Sequence, residues 1–186
     1  MRTRDPESKR QQLLQAALDE FAAHGVAGAR VDRLARRAGI SAGLVYSFYD
    51  GKDGLFDAVL DSIVEQTVTT IPIDADDLAE YAGRLFDGAK AHPEVARFMA
   101  WYQLERGESA GGRAANSAAM YGKVAAIEAA QRRGDVTDRF RAGQLLALVI
   151  STANMWQLQN CDFLSLVPEE KHRETVVDAV RRLVAP

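Results

Sequence analysis

The sequence predicts an all-α protein, on three observations. Apolar residues recur at helical spacing along nearly the whole chain. No segment alternates apolar and polar residues in a β-branched setting. Glycines and prolines fall where helices would start or stop. The chain has 186 residues, 47% hydrophobic and 26% charged, which is enough to bury a core without disulfides. Its single cysteine, Cys161, has no internal partner, which suits a reducing compartment. The start, Met1-Arg2-Thr3-Arg4-Asp5, carries no apolar stretch, and a cytoplasmic protein is expected. The longest apolar run, Leu145 to Ile150, is far too short to cross a bilayer, so no membrane partner is expected.

The periodicity divides the chain into about nine helices. The first is expected from Pro6 to about His24, capped by Asp5, with Leu14, Leu18 and Phe21 facing inward beside Leu13 and Ala17, and ended by Gly25. Two short helices follow, from Val31 to about Ala38 and from Ala42 to about Phe48. The fourth begins near Lys52, with Leu55, Val59 and Ile63 on one face and Phe56 and Leu60 beside them. It is broken by Ile71-Pro72-Ile73-Asp74. Further helices are expected from Asp76 to His92, Pro93 to Gly107, Arg113 to Arg133, Asp138 to Gln159 and Pro168 to Val184, with a Gly-rich loop over 107–112.

Charge is unevenly spread along the chain. The net charge is −3, yet residues 1–52 hold nine Lys and Arg against six Asp and Glu, while residues 53–186 hold fourteen against twenty. A basic head on an acidic body is what a chain needs when one end meets phosphate.

The segment Leu34 to Tyr46 carries the most specific local signal. Two helices that cross steeply through a tight turn need a small residue where they touch, and Ala35 supplies it. Four positions later the turn needs a residue tolerant of positive φ, and Gly39 stands there. Ile40 plugs the turn. Ser41 can cap the next helix, and Val45 points back to Leu34 and Val31. The pattern is that of a helix-turn-helix whose second helix would enter a DNA major groove; an ordinary helical corner uses the same residue types.

The flanks extend the pattern. The run Gly25-Val26-Ala27-Gly28-Ala29-Arg30-Val31-Asp32-Arg33-Leu34-Ala35 is followed by Ala38-Gly39-Ile40-Ser41, Gly43, the aromatic group Tyr46-Ser47-Phe48-Tyr49 and Lys52-Asp53-Gly54-Leu55-Phe56. Over about the first sixty residues the chain resembles TetR-type transcriptional regulators, with an aromatic pair closing the recognition helix and a Lys-acid pair opening the next. Two positions depart from that pattern. Ala29 and Arg30 stand where Thr or Ser is usual, and Gly51 where Ser is frequent. Both helix caps are therefore weaker, and Asp50 is the substitute available for the second.

The resemblance implies an N-terminal three-helix helix-turn-helix DNA-binding domain, residues 1–51, and a C-terminal helical ligand-binding and dimerisation bundle, residues 52–186. It implies phosphate contacts from Tyr46 and Lys52, the latter at a helix N-terminus where free N–H groups favour an anion. Arg30, Arg33 and Lys9 are further phosphate candidates, with Arg2 and Arg4 as an arm. Base readout is expected from Ala42, Gly43, Leu44 and Ser47 beside the cap Ser41. Small apolar groups there suit a thymine methyl and DNA shape. The partners implied are double-stranded operator DNA, a second copy of the chain and a small-molecule effector.

A dimer is also expected on geometry, because helix-turn-helix proteins place two reading helices about 34 Å apart. Leu145, Leu148 and Val149 on one helix and Val176, Val180 and Leu183 on the last are the candidate interface; a central helix in a monomeric bundle is the other reading of the first three. Amphipathic aromatics and polar neighbours in the second half, Phe86, Phe98, Trp101, Tyr102, Met120, Tyr121, Asn154 and Trp156, are candidate effector contacts, although aromatics at helical spacing equally serve as core. His24, His92 and His172 are scattered, with no metal-ligand spacing, phosphate loop or nucleophile elbow, so no cofactor, metal or enzyme activity is expected. The expected function is a ligand-responsive repressor. The alternative is a helical small-molecule-binding protein that no longer engages DNA.

Overall fold

A computed structural model describes residues 6–106, 114–157, 159 and 161–186. Among these it forms ten helices and no strand: α1 (Pro6–Gly28), α2 (Val31–Arg37), α3 (Ala42–Phe48), α4 (Gly51–Thr70), α5 (Leu78–Ala91), α6 (Pro93–Arg106), α7 (Ala114–Arg133), α8 (Ala142–Ala153), α9 (Cys161–Leu164) and α10 (Glu169–Val184). The expected cap Asp5, the arm Arg2 and Arg4, and the Gly-rich loop over 107–112 lie outside the described residues.

The chain divides into two compact units. One comprises Met1–Glu65 and Glu94–Gly111, the other Gln66–Pro93 and Gly112–Pro186. In this division most of α4 and nearly all of α6 belong with the three N-terminal helices.

The first unit is built around an aromatic cluster. Leu13, Ala17 and Phe21 lie one turn apart on α1 and are fully buried, so the inner stripe runs one position ahead of the Leu14-based face read from sequence. Phe21 meets Phe56 of α4 edge to face at 5.0 Å, and Phe56 lies 4.6 Å from Phe98 of α6 and stacks on Tyr102 at 6.0 Å. Such offset and edge contacts add to the burial of large apolar area.

α1 does not end cleanly at Gly25. That residue takes φ 63° and ψ −177°, a region open in practice only to glycine. A further short turn, Val26 to Gly28, follows it.

The second unit packs α5, α7, α8 and α10 around Tyr81, Phe86, Ile127, Leu145, Val149, Val176 and Val180. α5 and α10 approach closely at Gly83, where an added Cβ would lie 2.9 Å from Val177 Cγ2. Arg173 of α10 ties the pair together through Glu80 at 2.6 Å and Asp87 at 2.9 Å.

Local chemistry explains the shifted boundaries. α5 starts at Leu78 because Asp77 caps it, accepting from the Glu80 N–H at 2.9 Å, while Asp74 Oδ1 turns the chain ahead of it. α8 stops at Ala153, six residues before the expected Gln159. In its last turn Thr152 Oγ1 donates to Leu148 O and Asn154 Nδ2 to Ile150 O, so side chains occupy the carbonyls of the final turn. The four-residue α9 is too short to show a period in sequence.

Candidate nucleic-acid interface

α2 and α3 meet as the sequence requires. Leu34, Ala35 and Ala38 are buried where α3 crosses, and Val45 is fully buried from the other side. Gly39 takes φ 65°. The Ile40 N–H reaches back to Ala35 O at 3.0 Å, and Ile40 packs partly buried against the core. Ser41 Oγ accepts from the Leu44 N–H at 3.3 Å and caps α3. Its seven residues then run to Phe48 without a break.

Burying Val45 turns the opposite face of α3 outward. Gly43, Tyr46, Ser47 and Phe48 are exposed, and Ala42 and Leu44 are half-buried. Tyr46 is the most open large side chain of this helix at 59%. A Cβ built at Gly43 meets nothing within 4 Å. The Ser47 hydroxyl donates to Leu44 O at 2.8 Å, so outward it offers lone pairs rather than a proton.

The cations around this face are held to different degrees. Arg30 is exposed and stands at the N-cap of α2, without a side-chain cap. Its backbone N–H instead donates to Glu20 Oε1 at 3.0 Å. The same carboxylate oxygen takes Arg33 Nη2 at 2.6 Å and Nε at 2.9 Å. Arg33, 40% exposed at its side chain, is thus anchored inward. Lys52 is half-buried, and its ammonium donates to Ala27 O and Ala29 O, both at 3.4 Å. An ammonium has three donors, so one remains for an outside acceptor. Arg10 Nε donates to the Tyr49 hydroxyl at 3.3 Å.

Glu20 is the residue sequence reading missed. It is 2% exposed on the inner side of α1. Burial pushes its pKa up, but the Arg33 hydrogen bond, the Arg30 N–H and the charges of Arg33 and His24 outweigh this and hold it below the ordinary carboxylate value. Asp19 and Glu20 stand side by side before Phe21, and nothing in the sequence separates the buried acid from its more exposed neighbour. Glu105 was also missed. Its carboxylate accepts from the Val26 N–H at 2.7 Å and the Ala27 N–H at 3.4 Å. It caps the short turn after Gly25, while the Arg30 N–H, where the usual Thr or Ser is missing, is taken by Glu20.

The candidate effector residues do not form one group. Phe98 and Tyr102 belong to the aromatic cluster of the first unit, and Trp101 packs against Gly25 there. Phe86 and Met120 lie in or against the core of the second unit. Trp156 stacks flat on His172, ring centres 4.0 Å apart. Tyr121 is exposed, and Asn154 is exposed at the end of α8. The aromatics recur at helical spacing because each helix needs an inner face, and most of them fill it.

The candidate interface residues divide similarly. Leu145, Val149, Val176 and Val180 are fully buried within one chain and Leu183 partly so, while Leu148 is 38% exposed. The apolar excess of α8 is largely absorbed by its own bundle. No helix among the described residues is long and apolar enough to cross a membrane.

Comparison with known proteins agrees with this geometry. Residues 13–59 match the family model described as bacterial regulatory proteins, tetR family. Residues 77–182 match the tetracyclin repressor-like C-terminal domain. The chain is 35% identical to the HTH-type transcriptional repressor SCO4008 of Streptomyces coelicolor, over 99% of each chain. Its N-terminal part is 41% identical over 56 residues to the HTH-type transcriptional regulator BetI 1 of Chromohalobacter salexigens, covering 30% of this chain and 28% of that one. The crystal structure of the putative transcriptional regulator SCO4942 from Streptomyces coelicolor superposes with a TM-score of 0.84 at 31% identity, covering 95% of this chain and 98% of that one. A TetR family transcription regulator from Marinobacter aquaeolei shares the fold, with a TM-score of 0.78 at 23% identity over 100% of this chain and 99% of that one. With a two-helix corner built as described and both family models matched, the chain belongs to the TetR family of helix-turn-helix transcriptional regulators.

Proposed function

We propose that this regulator represses transcription as a homodimer on palindromic operator DNA and is released by a small hydrophobic effector. The observation that carries the reading is the outward face of α3, capped by Ser41 and backed by the buried Val45. Residues 1–51 take the DNA-binding role and residues 52–186 the ligand-binding and dimerisation role. Ala42, Gly43, Leu44 and Ser47 read base edges. Methyl contact with thymine dominates, and Ser47 accepts from an exocyclic amine. Tyr46, Arg30 and the free donor of Lys52 bind phosphate. Arg33 contributes through its anchored guanidinium, which sets the start of α2 beside the strand.

Two such heads must present α3 about one helical turn of DNA apart. Effector binding in the C-terminal bundle favours a spacing that fits successive grooves poorly. The shift is limited by the effector's differential affinity for the two states. α4, continuous from Gly51 to Thr70, is the covalent link between the two roles.

The test is a selection of bound sequences from random duplex DNA at near-physiological salt. A palindrome with half-sites about one turn apart is expected. So is a log–log salt slope near −5, the release expected for about six neutralised phosphates. A folded dimer that enriches no sequence would instead favour a small-molecule-binding protein without a DNA role.

A further inference from the structure

We propose that the second unit binds a small amphipathic monocarboxylate, its apolar body in a groove on α7 and its acid group on the Lys123 ammonium. The proposal rests on the effector reading above and names the chemical class of the ligand.

Three observations converge. First, a cavity of about 320 Å³ is lined by Val68, Pro72, Ile73, Ala118, Ala119 and Gly122, with Lys123 the one ionisable lining residue. That volume is at the lower end of small-molecule pockets, and the lining is otherwise apolar, as such pockets are. Second, Lys123 is only 7% exposed. Its contact among the described residues is the Tyr81 ring, 5.8 Å from the ammonium to the ring centre, near the outer limit for a cation over an aromatic face. Third, the buried Tyr81 hydroxyl has no hydrogen-bond partner among the described residues.

The other cations of this unit set the contrast. Arg173 holds Glu80 and Asp87, Arg133 holds Asp76 and Asp135, Lys90 holds Glu169 and Lys171 holds Glu174. Each of these is far more exposed than Lys123. Arg132, Arg139, Arg141 and Arg182 are exposed to solvent, whereas Lys123 is the one buried cation of this unit among the described residues, and no carboxylate of those residues pairs it. A buried ammonium without a counter-ion is costly, and a carboxylate brought to it supplies the missing interaction. One ammonium, with no arginine fork beside it, suits a single negative charge rather than a phosphate dianion.

The test titrates the full-length protein by calorimetry with naphthoate and octanoate, and with their neutral amides. The acids are expected to bind at least tenfold more tightly than the amides, a difference of about 1.4 kcal/mol. Lys123→Gln should lower acid affinity to the amide level, and Lys123→Arg should retain most of it. Gly122→Phe should abolish binding of both acids while the helical circular dichroism stays unchanged, because a Cβ there meets nothing within 4 Å. Equal binding of acids and amides, no acid binding at millimolar concentration, or full acid affinity in Lys123→Gln would overturn the proposal. Operator binding is then measured with each acid present. Acids that bind through Lys123 but leave operator affinity unchanged would keep the site and remove its effector role. Operator release by neutral molecules, undiminished in Lys123→Gln, would keep the regulator reading and overturn this site.

Discussion

The carboxylate of Glu105 accepts the Val26 N–H at 2.7 Å, and its Oε1 lies 2.5 Å from where a Cβ on Gly25 would stand. The last turn of α6 therefore closes over the break in α1, and only a glycine leaves room for it. Next to Glu105, Arg106 pairs with Asp53 at 2.5 Å and lies over the Phe56 ring. The end of α6 thus holds both the corner before α2 and the first turn of α4.

Gly25→Ala is expected to destabilise the protein by about 1–3 kcal/mol from backbone strain, with the Trp101 and Glu105 contacts adding to it. Glu105→Ala removes a cap on an exposed turn and should cost about 1 kcal/mol. Urea unfolding checks both. If Gly25→Ala kept the wild-type midpoint, the strain argument would be wrong.

Glu20 and Arg33 give a pH-dependent contribution. The folded-state pKa of Glu20 lies below its ordinary value, so its stabilisation is fully present above the unfolded value and is lost as pH falls through the lowered one. The stability gap between wild type and Glu20→Gln should be widest near neutrality and close on acidification below the ordinary carboxylate range. Arg33→Ala should cost about 1–3 kcal/mol, toward the lower end because the arginine is partly solvated. Thermal melts of the three proteins across pH 3 to 7 (roughly the span of carboxylate titration) measure the effect.

On α3, Gly43→Phe should leave the melting temperature near wild type, since a Cβ there meets open space, yet weaken operator binding severely. Leu44→Ala should relax preference at one base position, a change of about 1–3 kcal/mol in discrimination. Repeating the sequence selection with each variant distinguishes lost docking from altered reading. An unchanged selected motif for Leu44→Ala would remove it from the readout set.

Burial separates two kinds of substitution in the proposed dimer helices. Leu148→Glu alters a side chain exposed in one chain and should shift sedimentation equilibrium toward monomer with the helical content preserved. Leu145→Ala acts inside the core and should cost about 2–5 kcal/mol. A dimer unaffected by Leu148→Glu would argue that this part of α8 faces solvent.

How much was legible follows from what each signal depends on. α3 was readable to the residue because Ser41, Gly39 and Val45 each meet a local requirement of a tight corner. Glu20 and Glu105 were not, since both act on backbone N–H groups distant in sequence and no spacing announces them. The aromatic residues marked out the helices correctly but not their use: Phe98 and Tyr102 show the same period whether they line a pocket or fill a core, and here they surround Phe56. α8 ended early where the Thr152 and Asn154 side chains bond the carbonyls of Leu148 and Ile150, four residues before each, a choice that residue type alone does not determine.

The chain contains two tryptophans, one in each compact unit. Trp101 lies against Gly25 in the first, and Trp156 lies flat on His172 in the second. Each unit therefore carries its own intrinsic fluorophore in a distinct setting. Trp101→Phe and Trp156→Phe would each leave a single tryptophan, so that the loosening of one unit can be timed against that of the other by comparing the two variants, without any added label.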